Sequence, residues 1–405
     1  MSKIIDILVN KINEKSNEIE AWFDAQFSQN KPLLYNSIDL RHCGFKIAPI
    51  DTNCFPAGFN NLISDSKIRA QKLMTDFLRQ NFANAKNILI IPESHTKNLK
   101  YLENVLALQE ILQNSQNEVV IGSLLVENMK IALENGKEIK LTPIQKNGDK
   151  IATIDGFVAD LVILNNDLTN GIPEILQNVA TPIVPSTDLG WYQRKKSQHF
   201  TIYNKLAQEI SQILQIDSWL ISSMHHWCGE VNFKAQIGIE CLAKYVDELI
   251  IDLQKKYDEY GVKDQPYCYV KADSGTYGIA VMTAFSGQDI LEINKKERNK
   301  MSMLKGSTLN TMAVIQEGIK TIDKIDGNIC EPMIYMINGQ VAANLIRANN
   351  SRDQFTSLNM AGMSFYNLQN IEENRLEIGG SKNDVAKVYA MIARLASLAA
   401  TKEKY

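Results

Sequence analysis

Three short apolar segments with helix-like sequence between them restrict the fold of this chain more than any other feature. The segments cover residues 87–91, 119–126 and 157–164, and each has the length of a buried strand rather than of a helix. Helical patterns of apolar residues occupy 100–114 and 172–179. Because strand–helix alternation is typical of parallel sheets covered by helices, we expect a parallel α/β sheet with functional loops at its strand ends.

The pattern of elements changes in the second half of the chain. A long helical stretch is followed by strands that come in pairs, and the predicted ranges are 230–257 for the helix and 267–271, 278–283, 311–316, 333–337 and 340–346 for the strands. Asn338-Gly339 joins the last two strands and is a typical sequence for a two-residue hairpin turn. We therefore expect two regions, 1–220 and 221–405. Further helices are predicted at 3–27, at 65–83 with Asp65 as N-cap, and at 383–401 with Ser381 as N-cap.

The overall composition argues against several classes of protein. The 43 basic and 46 acidic residues give a net charge of −3, which provides no electrostatic attraction for nucleic acid or an anionic membrane. No segment approaches the roughly 20 apolar residues that are needed to span a bilayer. The six cysteines are scattered without a Cys-x-x-Cys pair, which is typical of free thiols in a reducing compartment. We therefore expect a cytoplasmic protein.

The segment richest in chemistry is a lysine followed by a small-residue loop with two glycines, at 270–281. The lysine provides a cation, and the glycines allow backbone N–H groups to approach phosphate oxygens. The residues predicted to bind a nucleoside triphosphate are Lys271, Asp273, Ser274, Gly275, Thr276, Tyr277 and Gly278. A strand rather than a helix follows the loop, so it is neither a Walker A loop nor a Rossmann motif. A glycine-containing hairpin with an exposed lysine is the alternative interpretation.

A second candidate site lies near the N-terminus, where an apolar strand runs into Asp51 and Asn53. Alternate residues of a strand point to the same side, so the two side-chain oxygens face one cation. Oxygen ligands of this kind suit Mg²⁺, and we predict a magnesium site here. Because Asp, Asn, Pro and Gly all favour turns, a turn without a metal is the alternative.

The segments after the glycine loop resemble, in their order, those of the ATP-grasp enzymes. An apolar strand runs into the residues that resemble the adenine-binding hinge, Gln316, Glu317 and Ile319. A hairpin then ends at Arg347, and a small-residue loop follows at 358–362. Classical ATP-grasp enzymes carry an acidic-x-Asn metal pair near the C-terminus, which this chain lacks. Asp51 and Asn53 resemble instead the permuted arrangement of eukaryotic-type glutathione synthetases.

The N-terminal segment carries the most specific resemblance. Residues 38–46, leading into 51–62, look like the signature region of the proteobacterial GshA-type glutamate–cysteine ligases, and 92–98 and 190–200 look like the same family. The resemblance spans nearly the whole chain and implies an ATP-grasp-like nucleotide-binding domain with an N-terminal parallel α/β substrate domain. It also implies that ATP, L-glutamate and L-cysteine give γ-glutamylcysteine, ADP and phosphate, with Mg²⁺ as cofactor, in the first step of glutathione synthesis.

Two anionic amino acids and ATP require several cations around them. Transfer of the γ-phosphoryl group to the substrate carboxylate gives an acyl phosphate, and this chemistry needs no protein nucleophile. With the resemblance, the candidates for substrate binding are Arg41, Lys46, Phe59, Asn60, Arg194, Arg347 and Asn349. Lys271 and Arg347 are the catalytic candidates. Lys195 and Lys196 are predicted to lie on a solvated face, and 295–303 to form either a lid over the nucleotide or a solvated connection.

Two other functions remain open at the level of the sequence. The first is a glutathione synthetase-like ligase that joins γ-glutamylcysteine to glycine, because the permuted architecture resembles both enzymes. The second is a nucleotide-binding regulatory protein without turnover, which the intact Lys271, Asp51 and Asn53 disfavour. The expected partners are glutamate, cysteine and ATP, without nucleic acid or membrane, in a chain that is either monomeric or a homo-oligomer.

Overall fold

The computed structural model describes residues 4–113, 117–274, 280–303 and 310–404. Within these ranges, no helix combines the length and the apolar character that crossing a membrane requires. The helices are α1 (Ile4–Glu14), α2 (Ser16–Gln29), α3 (Ser64–Asn81), α4 (Leu99–Leu112), α5 (Lys196–Leu214), α6 (Ile239–Tyr260), α7 (Gly287–Leu291), α8 (Lys295–Met301) and α9 (Lys382–Thr401).

The described strands form three sheets, one mixed and two antiparallel. In chain order they are β1 (Tyr35–His42), β2 (Ile47–Asn53), β3 (Asn87–Pro92), β4 (Glu118–Ser123), β5 (Met129–Ala132), β6 (Glu138–Asn147), β7 (Lys150–Thr153), β8 (Leu161–Asn165), β9 (Ile183–Val184), β10 (His225–Gly229), β11 (Cys268–Ala272), β12 (Val281–Ala284), β13 (Met312–Glu317), β14 (Lys324–Ile325), β15 (Asn328–Ile337), β16 (Gln340–Ala348), β17 (Ser364–Asn367) and β18 (Leu376–Glu377). The fold class is therefore mixed α/β.

Several helix predictions need correction at their ends. The predicted helix at 3–27 is two helices, α1 and α2, which meet at Lys15. Asp65 is not an N-cap, because α3 begins one residue earlier and Ile63 occupies the capping position. The helix expected at 172–179 is only a 3-10 turn at Glu174–Leu176 that follows Pro173. The Ser381 cap of α9 is confirmed, since its side chain accepts a hydrogen bond from the amide of Asp384.

The three apolar segments of the first half form the centre of one sheet. Its strands follow the order β5-β6-β4-β3-β8-β9, with β7 paired to β6. β4, β3, β8 and β9 run parallel, as does β6 beside β4, while β5 and β7 are antiparallel to β6. The carboxyl ends of β3 and β8 therefore meet at one edge of the sheet, at Pro92 and Asn165.

A second sheet, called here the central sheet, joins the two halves of the chain. Its strands follow the order β17-β16-β15-β1-β2, and all neighbours are antiparallel. Helices α1 and α9 pack on one face, and α3 packs on the other. Because β1 pairs with β15, the N-terminal strands share a sheet with the C-terminal hairpin, and the division at residue 220 stays a prediction.

The hairpin between β15 and β16 confirms the turn predicted from Asn338-Gly339. Both turn residues have positive φ, 50° for Asn338 and 70° for Gly339. A type I′ turn requires positive φ at both central positions, which Asn and Gly adopt at low cost. The turn starts the pairing, and after a register shift between Tyr335 and Met336 the hairpin places Glu331 opposite Arg347.

The third sheet, called here the small sheet, follows the order β10-β13-β11-β12 and is antiparallel. Its apolar face packs against α6 through residues such as Val270 and Ile315. Alternation along the strands puts Tyr269, Lys271 and Gln316 on the opposite face. Hydrogen bonds from that face reach β1 and β2, so it is turned toward the central sheet.

A buried ion cluster links the residues that follow α9 to the residues at the start of α5. Arg194 forms two hydrogen bonds to Glu403, with Nε–Oε2 and Nη2–Oε1 distances of 2.7 and 2.8 Å. His199 Nδ1 lies 2.6 Å from the same carboxylate, and Arg194 also donates to the carbonyl of Thr52. Burial raises the pKa of Glu403, but Arg194 and His199 outweigh it and lower that pKa to about 2.

We expect Glu403→Gln to lower the free energy of unfolding by about 3–5 kcal/mol, because it leaves the buried Arg194 guanidinium without its counter-charge. Glu127→Gln, at an exposed position, is the matched control and should change stability by less than about 0.5 kcal/mol. Urea unfolding followed by circular dichroism measures both values. Equal stability of the two variants would show that the ion cluster does not support the fold.

Candidate active site

Lys271 connects the small sheet to the central sheet. Its Nζ donates to the carbonyl of Ile50 at 3.1 Å and to Oε1 of Gln316 at 2.8 Å. Burial lowers the pKa of Lys271 to about 7, although the nearby Asp51 opposes this shift. Lys196 and Arg41 lower the pKa further, because like charges disfavour the protonated amine. The site therefore holds a lysine that changes charge near neutral pH.

Arg41 makes the second connection between the two sheets. It projects from β1, donates to the hydroxyl of Tyr269 on β11, and donates to the carbonyl of Ile319 at 3.2 Å. Its Nε binds Glu331 at 2.9 Å, and Nη2 binds the carbonyl of Thr356 at 2.5 Å. The guanidinium is 1% exposed and its described contacts are with protein groups.

Arg347 lies between two carboxylates on the same face of the central sheet. Its Nη1 is 2.9 Å from Asp39 and 2.9 Å from Glu331, and Nη2 is 3.1 Å from Asp39. Burial raises the pKa of Asp39, and Arg347 only partly offsets it. The Nε of Arg347 is buried and has no hydrogen-bond partner among the described residues. An orphaned donor of this kind is costly unless a ligand binds it.

Asp51 meets a lysine that comes from the start of α5. Lys196 Nζ lies 2.6 Å from Oδ1 of Asp51. Burial raises the pKa of Asp51, but Lys196 and Lys271 together lower it below its usual value, so the carboxylate is ionised. Lys196 is only 8% exposed, so the prediction of a solvated position is wrong. Its ammonium lies 4.3 Å from the ring centre of Trp191, and this aromatic shields it.

Asp273 and Ser274 begin the loop that the sequence assigned to phosphates. The carboxylate of Asp273 is buried and accepts hydrogen bonds from the amide and hydroxyl of Ser197, both at 2.7 Å. Asp273 therefore ties β11 to the first turn of α5, while Ser274 is half-buried. The remaining loop candidates, Gly275, Thr276, Tyr277 and Gly278, lie outside the described residues.

The predicted adenine hinge is engaged with protein. Gln316 is buried between Lys271 and Ser223. The carboxylate of Glu317 binds Lys46 at 2.7 Å and also accepts from the indole of Trp219 at 3.1 Å. The Glu317 amide donates to the carbonyl of Met224 at 2.8 Å. Lys46, predicted to bind substrate, is thus 1% exposed and paired within the protein.

A cavity of about 170 Å³ lies beside this hinge. Its lining is aromatic with a polar rim and consists of Cys43, Phe45, Tyr257, Asp264, Gln265, Tyr267, Phe285, Lys320, Gln354 and Phe355. The ring of Tyr267 leaves no space for a side chain at position 318, where a Cβ would meet it at 2.3 Å. Gly318 therefore allows the chain to leave β13 along the cavity wall.

Other predicted site residues pack in the core, stabilise loops or form other ion pairs. Phe59 is fully buried between the rings of Tyr35 and Tyr335. The neighbouring Asn60 is half-buried in the same turn. Asn349 braces its own loop, where its Oδ1 accepts from the amide and hydroxyl of Ser351. Arg194 belongs to the Glu403 cluster.

Asn53 lies at the end of β2, two residues after Asp51 and on the same side of the strand. Its Oδ1 accepts a hydrogen bond from the amide of Phe55 at 2.9 Å. Within the described ranges, no three His, Cys, Asp or Glu side chains are grouped so that they could hold a metal ion. The prediction of a magnesium site thus depends on this pair together with substrate oxygens.

Comparison with known families decides what kind of site this is. The family model described as GshA, glutamate-cysteine ligase, matches residues 9–404. The chain belongs to this family. A crystal structure from Methylobacillus flagellatus KT, provisionally described as a gamma-glutamylcysteine synthetase, is 35% identical with a TM-score of 0.89. The alignment covers 97% of this chain and 94% of that one.

More distant structural neighbours add little to the GshA assignment. A D-alanyl-alanine synthetase A from Vibrio cholerae is 11% identical at a TM-score of 0.34, over 75% of this chain and 80% of that one. A glutathione synthetase-like effector from Globodera pallida is 9% identical at a TM-score of 0.36, over 86% and 77%. Scores this low do not establish a common fold. No curated protein sequence gave a significant match.

Several residues of this GshA-family site were not predicted from the sequence. They are Asp39, Lys196, Ser197, Tyr269 and Glu331. Asp39 could have been predicted, because it lies two residues before Arg41 on the same strand and therefore points to the same face. Glu331 and Lys196 carry no such signal, because they reach the site from distant segments.

We expect the pKa of Lys271 to report the charges around it. Lys196→Met removes a like charge and should raise this pKa from about 7, whereas Asp51→Asn removes an opposite charge and should lower it. Reductive ¹³C-methylation followed by an NMR pH titration measures the value, with Lys271→Arg to assign the signal. A titration near the ordinary lysine value of about 10.4 in all variants would contradict the burial of this amine.

Proposed function

We propose that this chain joins the γ-carboxylate of L-glutamate to the amine of L-cysteine at the expense of ATP. The products are γ-glutamylcysteine, ADP and phosphate. The observation that carries the proposal is the convergence of Lys271, Lys196, Arg41 and Arg347 where the central and small sheets meet. An enzyme of the GshA family needs such a concentration of positive charge, since ATP and glutamate are anionic and cysteine also carries a carboxylate.

The chemistry requires activation of a carboxylate, because hydroxide is a poor leaving group at neutral pH. The γ-carboxylate oxygen attacks the γ-phosphorus of ATP, the bond to the β-phosphate oxygen breaks, and ADP leaves. The cysteine amine then attacks the acyl carbon, the carbon–oxygen bond to phosphate breaks, and the amine loses a proton. Both steps depend on alignment and charge neutralisation, which the protein provides.

We place the triphosphate between the two sheets, in an ATP-grasp-like arrangement. Lys271 lies at the start of the loop and would neutralise phosphate oxygens, together with the proposed backbone donors of 275–278. A polyanion favours the protonated amine, so ATP binding above pH 7 should be accompanied by proton uptake at Lys271. Lys196 adds a second ammonium on the same side, next to Asp51.

The aromatic cavity beside the hinge suits the adenine ring. Its volume of about 170 Å³ and its aromatic walls fit a purine. Tyr267 on the cavity wall and Lys271 are four residues apart on one extended segment, which spans about 13 Å. That span allows a base in the cavity and phosphates at the lysine. Gln316, Glu317 and Ile319 then act by shaping the hinge.

Asp51 and Asn53 fit a role in holding Mg²⁺ with ATP. Asp51 is ionised and its side chain is 37% exposed, so it is available to a ligand in exchange for Lys196. Mg²⁺ is commonly bound by one or two protein oxygens plus substrate phosphates, which agrees with this small donor set. When bound, the ion would neutralise phosphate charge. Asp51 and Asn53 would hold the ion at the end of β2.

Arg347 is our candidate for binding an amino-acid carboxylate. Its guanidinium is planar and its Nε is an unused donor at the end of the β15–β16 hairpin. Both Nη groups already donate to protein, so we propose that the substrate carboxylate binds at Nε, a donor position that a lysine ammonium does not reproduce. We assign it to the cysteine side. Arg41, despite its contacts with protein, stays our proposal for the glutamate side, and Asn60 stays a predicted substrate-binding residue.

Cytoplasmic location and oligomeric state stay predictions. All six cysteines are free in the structure, which supports a reducing compartment. The segment at 295–303, predicted to be either a lid or a solvated connection, contains α8, in which Met301 is buried. That helix is compatible with either a lid or a fixed connection.

The proposed reaction predicts ADP release that requires both glutamate and cysteine. With glutamate labelled by ¹⁸O in its γ-carboxylate, one labelled oxygen should appear in the released phosphate, because the acyl phosphate retains it. Mass spectrometry of the phosphate measures this transfer. Release of ADP with γ-glutamylcysteine and glycine instead would identify a glutathione synthetase-like enzyme. Nucleotide binding without any turnover would identify a regulatory protein, and unlabelled phosphate or AMP would refute the mechanism.

We expect Arg347→Lys to raise the KM for an amino-acid substrate at least about tenfold, or about 1.4 kcal/mol, while the KM for ATP changes little. The reason is that lysine has no donor at the position of the Arg347 Nε, which lacks a partner among the described residues. Arg375→Lys is the matched control, since Arg375 makes an exposed pair with Asp326. Steady-state kinetics with each substrate varied in turn, on variants of checked thermal stability, provides the test. A selective change in the KM for ATP would move Arg347 to the nucleotide.

A further inference from the structure

Two cysteines lie side by side at the edge of the small sheet, apart from the proposed ligase site. Cys228 is on β10 and is 4% exposed, whereas Cys241 lies on the surface in the first turn of α6. Two residues before Cys228 and four residues after Cys241, the rings of His226 and Tyr245 stack with their centroids 5.5 Å apart, so β10 and the first turns of α6 place the two cysteines next to each other. Neither thiol has a part in the proposed ligation.

The backbone between them explains why they meet. Asn232 and Ile237 pair through two hydrogen bonds of 2.9 and 3.1 Å, which closes the connecting segment into a narrow loop. At Gly238 the chain comes back beside Glu230. The approach is so close that a Cβ at position 238 would lie 2.6 Å from the carbonyl oxygen of Glu230. Helix α6 begins at that point, so its first turn is held next to the end of β10. The fold therefore fixes the first turn of α6, which carries Cys241, beside the strand that carries Cys228.

Access to reagents separates Cys241 from the other cysteines. Cys43, Cys54, Cys268 and Cys330 are buried, and burial raises the pKa of each thiol. A buried neutral thiol neither reaches nor attacks a small disulfide in solution. Cys241 is exposed, and Cys228 lies immediately beneath it. The pair thus consists of an accessible thiol and a neighbouring thiol that is able to resolve its adduct.

We propose that Cys228 and Cys241 are a reversible disulfide site that is oxidised by low-molecular-weight disulfides. The Cys241 sulfur attacks a small disulfide R–S–S–R, an R–S⁻ group leaves, and a mixed disulfide forms. The Cys228 sulfur then attacks the Cys241 sulfur, the second R–S⁻ group leaves, and the internal disulfide is complete. Each leaving group takes up one of the two thiol protons, and R–S–S–R is reduced to two R–SH.

The local electrostatics agree with this order of steps. Burial raises the pKa of Cys228 to about 12, and its interaction with the Cys241 thiol contributes to the increase. Once Cys241 is in a mixed disulfide it no longer carries an ionisable proton, so that contribution disappears. Loss of that contribution lowers the pKa of Cys228, while its burial remains.

The disulfide would tie α6 to β10 and close the loop between them. Since β10 pairs with β13, which carries Gln316, the link would restrain the small sheet at the edge farthest from β12. A cross-link within one loop stabilises a protein mainly by limiting its unfolded chain. We therefore expect oxidation to raise the unfolding temperature of the protein.

The test uses the full chain with 2-hydroxyethyl disulfide as oxidant, followed by alkylation and trypsin without reduction. Cleavage after Lys205, Lys234 and Lys244 places the cysteines on separate peptides, 206–234 and 235–244. We expect these peptides to appear joined, with the combined mass reduced by two hydrogen atoms. Dithiothreitol should separate them, and the oxidised protein should melt at a higher temperature than the reduced one.

Cys241→Ser should abolish the joined peptides and the stability difference, and its surface position keeps the fold intact. Cys43→Ala, at a different cysteine, is the matched control and should retain both. A hydroxyethyl adduct on Cys241 with Cys228 still alkylated would refute the proposal. Joined copies of 235–244 alone, from a link between two chains, would refute it as well. These readouts do not depend on ligase activity, so failure here and failure of the proposed function are distinguishable.

Discussion

The balance of buried charges where the central and small sheets meet is the constraint on which the rest of the site depends. Glu331 on β15 binds Arg41 on one side and Arg347 on the other, both at 2.9 Å. Arg347 in turn neutralises Asp39. Charges in a low-dielectric interior are tolerated only when each has its partner, so the strands that carry them must keep one register. The antiparallel order β16-β15-β1 provides that register.

The same balance explains the chemistry that we assign to the site. Asp51 is held between Lys196 and Lys271, and burial makes the charge state of Lys271 sensitive to what lies beside it. In the proposed function, the negative charge of the triphosphate binds next to Lys196 and Lys271, which are already in position. Catalysis of this type needs groups whose orientation is fixed before the substrate arrives. The ion pairs therefore stabilise the fold and also fix the orientation of the charged groups before substrates bind.

Much of the fold followed from sequence patterns that act locally. The apolar segments of β3, β4 and β8, the turn at Asn338-Gly339 and the Ser381 cap are each encoded within a few residues. The errors arose where neighbouring residues in space overrode such patterns. Lys196 was expected in solvent, yet it lies in a pocket formed by Trp191 and Asp51. A basic run gives no indication of which of its members turns inward.

The sequence by itself determined the element types, the candidate pairs on alternating strand positions and the resemblance to the GshA family. Alternation placed Asp51 and Asn53 on one side of β2 because side-chain direction in a strand has a period of two. Only the tertiary structure decided which partners the charged residues take. In the folded chain Arg194 binds Glu403, Lys46 binds Glu317, and Glu331 lies between Arg41 and Arg347. Apart from Glu331–Arg347, which lies within one hairpin, these contacts join residues 209 to 290 positions apart, and no local pattern encodes how two such segments pack.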